Sequence, residues 1–134
     1  MDNFGSLHHV ELQQVSDLRS SVDTWTWLFD ALGYTPHQEW SGGRGWRHGS
    51  TYIVLASASR GGAHDRRLPG LSHLAFHAGT MQNVDRLWTA APQNGWSRLY
   101  ADRHPRAGGD QHYAAFLEKA ERFKVELVAS DAVR

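Results

Sequence analysis

His9, His73 and Glu126 are the residues of this 134-residue sequence whose types and spacing could hold a divalent metal ion. His9 lies in Leu7-His8-His9-Val10-Glu11-Leu12, and His73 lies in Leu71-Ser72-His73-Leu74-Ala75-Phe76. The shared frame is Leu-x-His-apolar-x-apolar, repeated at an offset of 64 residues. Side chains alternate along a strand. If Val10 and Leu12 face a core, then His9, Glu11 and Gln13 face the other way. The same parity groups His73, Ala75 and His77 opposite Leu74 and Phe76. In the last apolar segment Val125 and Leu127 take the core, so Glu126 and Val128 join the histidine face. Two neutral imidazoles and a carboxylate on facing sheets make a two-histidine, one-carboxylate set with open positions. Such a set suits one Fe, Mn, Zn or Ni ion per chain. The metal acts as a Lewis acid, lowers the pKa of a bound water, or binds O₂. The sequence has no cysteine, so no thiolate or disulfide is available.

Other residues could do chemistry beside such an ion. His77, His104 and His112 are candidate catalytic groups, because an unperturbed imidazole titrates near neutral pH. Tyr113 is a further candidate, but it alternates with His112, so only one of the two can face the site. Trp46, Tyr52 and Trp96 are expected to line a substrate pocket, and Glu11 to assist there. His8 is expected to point away from the site, and Trp25 and Trp88 to lie in the core. His64-Asp65-Arg66-Arg67 reads as a solvated charged run.

A duplicated unit must position these residues. Val22-Asp23 matches Val84-Asp85, and Gly33-Tyr34 matches Gly95-Trp96, both at an offset of 62. The ends also agree, 52–57 against 125–130. Two modules follow, 1–60 and 61–134, each of order β-α-β-β-β. In the first, a strand over 7–15 leads to a helix capped by Ser16 or Asp17. Leu18, Val22, Trp25, Phe29 and Leu32 form its apolar stripe, and Gly33 stops it. Strands are expected around 34–40, 45–49 and 51–56. A polar linker over 57–70 precedes a strand over 71–77. The second helix runs from a Thr80 cap to about residue 91, burying Val84, Leu87, Trp88 and Ala91, with Pro92 ending it. Strands near 97–101, 112–117 and 123–129 complete the unit, around a loop over 102–109. The final residues are expected to fray.

Composition narrows the partners. Lys+Arg and Asp+Glu both number 14, and the isoelectric point is near 7.1, which excludes a basic nucleic-acid surface. No apolar run approaches the roughly 20 residues of a membrane span. No basic start leads into an apolar segment, so a cytoplasmic protein is expected. A homodimer is expected, because open sheet edges need cover and twofold dimers are the commonest oligomers.

The motifs resemble the vicinal oxygen chelate superfamily of glyoxalase I, extradiol dioxygenases, fosfomycin and bleomycin resistance proteins, and methylmalonyl-CoA epimerase. The resemblance rests on Leu7-His8-His9-Val10-Glu11-Leu12, on Trp27-Leu28-Phe29-Asp30-Ala31-Leu32-Gly33-Tyr34 and on Pro69-Gly70-Leu71-Ser72-His73-Leu74-Ala75-Phe76. It also rests on the stretch from His112 to Val128. It implies an α+β fold in which two βαβββ modules form a cup-shaped mixed sheet, with metal ligands at His9, His73 and Glu126. Many members place a fourth, acidic ligand late in the first module. Here Tyr52, Val54 and Ala56 occupy those positions, which departs from glyoxalase I and the epimerase. The usual Asp-Pro-Asp-Gly turn is replaced by Lys119-Ala120-Glu121-Arg122. The resemblance implies a metal-dependent glyoxalase- or dioxygenase-like enzyme acting on a small chelating oxygen substrate, with oxygenase-like chemistry favoured. The alternatives are a fosfomycin-type thiol transferase and a protein that sequesters an aromatic natural product.

Overall fold

The computed structural model describes residues 4–14 and 18–131. The expected Ser16 or Asp17 cap and the expected fraying after residue 131 lie outside the described residues. The chain divides into two compact units, Met1–Gly62 and Ala63–Arg134.

Unit 1 runs β1 (His9–Gln14), α1 (Leu18–Ala31), β2 (Thr35–Trp40), β3 (Gly43–His48) and β4 (Thr51–Ser57). Its sheet has the order β1-β4-β3-β2. The first and last strands pair in parallel, His9 opposite Tyr52 and Glu11 opposite Val54, while the other pairings are antiparallel. Unit 2 repeats the plan with β5 (Leu74–His77), α2 (Met81–Ala90), β6 (Trp96–Leu99), β7 (Ala114–Lys119) and β8 (Lys124–Val128). Its order is β5-β8-β7-β6, and β5 pairs in parallel with β8 so that Ala75 faces Glu126. The architecture is α+β, two βαβββ modules, as the duplication implies.

Each helix covers one side of its sheet. In unit 1 Trp25, Leu28 and Phe29 are fully buried, with Trp46 and Leu55 beneath them. Phe29 stands 4.9 Å from Trp46, 5.2 Å from Tyr34 and 5.4 Å from Trp25, ring centre to ring centre. The buried stripe is rotated from the expected one. Ser21 is buried, whereas Leu18 and Val22 are half-buried. Gln14 explains the rotation. Its side chain points inward, and its amide oxygen accepts from the Ser21 hydroxyl at 2.6 Å and the Trp25 indole at 3.1 Å. A buried polar group needs such partners, so the helix turns Ser21 toward it.

In unit 2 Thr80 caps α2 by accepting from the Asn83 amide at 3.1 Å. Val84, Leu87 and Ala91 are buried as the stripe requires. Trp88 is only half-buried. It stacks flat on His104 at 3.7 Å, with the Arg98 guanidinium 5.5 Å from its ring centre. The chain passes Pro92 within a 3₁₀ turn, Ala91–Asn94, and Gly95 closes it with φ of 88°. The charged run also packs. The His64 ring lies on Phe123 at 4.6 Å, and Arg66 pairs with Glu118 at 2.7 Å. Thus the stretch from residue 63 belongs to unit 2 rather than to a free linker.

Phe29 meets the rings of Trp25, Tyr34 and Trp46 at full burial, so Phe29→Ala should lower stability by about 3–5 kcal/mol. Leu68→Ala, at a residue 62% exposed, should change it by less than about 0.5 kcal/mol. Urea unfolding of the two variants checks the contrast.

Candidate functional site

The helix of unit 2 occupies one side of its sheet, and the polar residues of β5 and β8 use the other. His73 immediately precedes β5. Its Nε2 lies 3.0 Å from Glu126 Oε1. His112 immediately precedes Tyr113 and β7, and its Nε2 contacts the other carboxylate oxygen of Glu126. Both oxygens of one carboxylate are therefore held by imidazoles. Glu126 is 8% exposed, between Val125 and Leu127 at 0%. Ser72 Oγ lies 3.0 Å from His73 Nδ1 and orients that ring from behind. Gly108 makes room for His112: a Cβ there would stand 2.6 Å from the imidazole Cδ2.

In unit 1 the counterpart histidine lies in an aromatic cluster. His9 stacks on Tyr52 at 4.9 Å, and His37 meets the same phenol ring at 4.9 Å. His8 does not point away. Its Nδ1 is 2.9 Å from His9 Nδ1, and its ring is 5.2 Å from Tyr52. Glu11 is exposed on β1.

Comparison with known proteins bears on the family and the fold. No family model matches the chain. Over 126 residues the chain is 44% identical to the uncharacterized protein YqjT of Bacillus subtilis, spanning 92% of this chain and 98% of that protein. The crystal structure of a Bacillus halodurans protein, described only provisionally as a glyoxalase, matches with a TM-score of 0.89 at 42% identity. It covers 96% of this chain and 98% of its own. The chain belongs to the vicinal oxygen chelate superfamily. More distant superfamily structures share the fold. One is the fosfomycin resistance protein FosX of Listeria monocytogenes, crystallised with Mn(II) and 1S,2S-dihydroxypropylphosphonic acid. It matches with a TM-score of 0.66 at 18% identity, covering 96% of this chain and 90% of its own.

Within this superfamily member, the donor atoms suit a divalent ion. In unit 2 His73 and Glu126 offer an imidazole nitrogen and a carboxylate, and among the described residues neither is bonded to a lysine or arginine; in unit 1 His9 offers a further imidazole. Among the described residues, no group of three or more His, Asp or Glu side chains converges on one point as a metal shell. In unit 2 the imidazoles are turned onto the carboxylate instead.

The structure sorts the other expected residues by side. His112 meets Glu126. His104 and Tyr113 do not, because both turn toward α2. Burial against Trp88 pulls the His104 imidazole below its usual pKa. The Tyr113 phenol donates to Asp85 Oδ1 at 2.5 Å, with the Arg106 guanidinium 5.1 Å from its ring centre. His77 stays exposed at the end of β5. Trp46 and Trp96 are corrections to the expected pocket: each is 1% exposed, and their rings fill the cores. Tyr52 remains beside His9.

Sequence reasoning missed Lys124 and Tyr100. Lys124 shares parity with Glu126, which was a readable signal. Tyr100 adopts φ of 57°, which nothing in Leu99-Tyr100-Ala101 announces.

The Asp85 hydrogen bond pushes the Tyr113 pKa up to about 12. The folded protein therefore holds this proton more tightly than the unfolded chain, and the associated stability is lost as pH rises from about 10 to about 12. Absorbance titration of the tyrosines should show a late step near pH 12, and Tyr113→Phe should remove it. A wild-type titration complete by pH 11 would contradict the bond.

Proposed function

We propose that the protein is a metal-dependent enzyme of the glyoxalase/dioxygenase type that acts on a small substrate chelating through two oxygens. The observation that carries the proposal is Glu126, a buried carboxylate flanked by His73 on the polar face of a superfamily sheet. His9, His73 and Glu126 would hold one divalent ion. Bound there, the ion supplies Lewis-acid activation of the chelated oxygens and, for iron, O₂ chemistry. We favour oxygenase-type chemistry, because three protein ligands leave open positions.

The chain's own residues supply orientation and proton handling. The contact from His112 fixes the Glu126 carboxylate, as an outer hydrogen bond to a ligand does. His77, exposed on the same side of β5 as His73, is placed to exchange a proton with solvent. Tyr52 offers a flat surface beside His9 for a planar substrate. The substrate is a small molecule rather than nucleic acid, given the balanced charge. No helix among the described residues is long and apolar enough to cross a membrane. We also propose that the chain works as a homodimer in the cytoplasm.

Protein prepared without chelator should carry about one divalent ion per chain. His73→Ala and Glu126→Ala should lose it, and His112→Ala should weaken binding about 10- to 100-fold. Elemental analysis and metal titration measure this, and equal metal content in all variants would sink the site. Loaded anaerobically with Fe(II), the protein should consume O₂ when given a catechol, and Glu126→Ala should abolish the uptake. Turnover with Mn(II) and a thiol but no O₂ uptake would replace the oxygenase reading with a transferase. Light scattering should give twice the 15.1 kDa chain mass; a monomer at high micromolar concentration would refute the dimer.

A further inference from the structure

The polar face of unit 2 carries a second cluster, one residue pair along β8 from Glu126. Lys124 and Glu126 share a face, separated by roughly 6.5 Å along the strand. The Lys124 ammonium donates to the Tyr100 phenol oxygen at 2.9 Å. It also lies 5.0 Å from the Tyr100 ring centre and 5.2 Å from that of Phe116. Phe116 is the ladder partner of Glu126 and stands 6.3 Å from the His73 ring. The two clusters are thus continuous across one aromatic ring.

The charges at this cluster do not balance. Glu118 is the ladder partner of Lys124 and the obvious counter-ion. Its carboxylate is taken instead by Arg66 at 2.7 Å and Arg122 at 3.2 Å. Two arginines therefore share one carboxylate, and Lys124 makes no ion pair with any described acid. Part-buried charge without a counter-ion is costly. The phenol adds a donor: its oxygen accepts from Lys124, with the Arg66 guanidinium also beside it, and both cations draw its pKa below the usual tyrosine value while its O–H remains a donor. Tyr100 is held there with left-handed backbone, φ of 57°, a conformation that costs free energy in a non-glycine residue and recurs at ligand sites. Arg103 and His104 amides close on its carbonyl at 2.9 and 3.0 Å and fix the turn.

We propose that Lys124 and Tyr100 bind a carboxylate on the substrate, so that the protein selects a chelating small acid over its neutral counterpart. This rests on the metal-site reading above for the chelating half of the molecule. One ammonium and one phenolic O–H suit a singly charged carboxylate, which takes charge-assisted hydrogen bonds from both. The carboxylate and the chelating oxygens would lie about one aromatic ring apart.

Calorimetric titration of Mn(II)-loaded protein with 3,4-dihydroxybenzoate and with catechol tests the proposal. The two probes share the diol and differ in the carboxylate. The acid should bind roughly tenfold more tightly. Lys124→Met should bring the two to parity, Lys124→Arg should keep the preference, and Tyr100→Phe should narrow it. Thermal melts confirm that each variant is folded. The same comparison in chelator, benzoate against benzyl alcohol, separates the two claims. A preference for benzoate that persists without metal and vanishes in Lys124→Met supports the carboxylate site even if no metal binds. Parity between acid and neutral probe in the wild type, or a preference that Lys124→Met leaves intact, overturns it even if the metal site stands.

Discussion

A carboxylate buried in the middle of a sheet sets the terms for unit 2. Glu126 keeps 8% exposure on a strand whose neighbours Val125 and Leu127 are fully packed. Removing a charged group from water costs several kcal/mol unless its lone pairs are met. Here both oxygens are met by imidazoles. That requirement reaches outward. It fixes His73 at the entrance to β5, brings the 102–112 loop back over the sheet, and demands a glycine at 108 so that the His112 ring can approach.

The parallel pairing of first and last strands makes this meeting possible. His73 and Glu126 are far apart in sequence, yet β5 and β8 are adjacent because α2 carries the chain across the sheet. The same helix decides which side is free for polar groups. Val84, Leu87 and Ala91 seal one face, and the other is left to His73, Lys124, Glu126 and Phe116. Unit 1 obeys the same logic, with α1 turned by the hydrogen bonds that Gln14 requires.

Strand parity and internal repetition made much of this legible in the sequence. Alternation alone put His73 and Glu126 on one face, and the offset repeat fixed the order of elements. The readings that failed depended on quantities a pattern does not hold. Trp46 and Trp96 are ring types that suit a pocket, but Trp46 packs on Phe29 of α1 and both rings are buried. The loop over 102–109 carries no periodicity, so nothing showed that His104 would stack on Trp88 while His112 turned to Glu126. The helix stripe of unit 1 shifted because of one inward glutamine, which parity marks as core-facing but hydropathy marks as surface. Tyr100 depends on a backbone angle that its neighbours in sequence do not encode.

The ladder registers bear on the protein's ancestry. Aligning the two units by rung sets His9 against His73, Tyr52 against Lys124, and Val54 against Glu126, while Glu11 falls where unit 2 has Ala75. Each rung next to the histidine thus holds one acid and one apolar residue, but on opposite strands. If both halves descend from one βαβββ unit, the acid has changed strands in one of them, and the symmetry of the duplicated scaffold survives in the backbone without surviving in the donor set. A divergence of this kind is two substitutions deep. Exchanging Glu11 and Val54 in unit 1 would put the acid on the last strand of both halves.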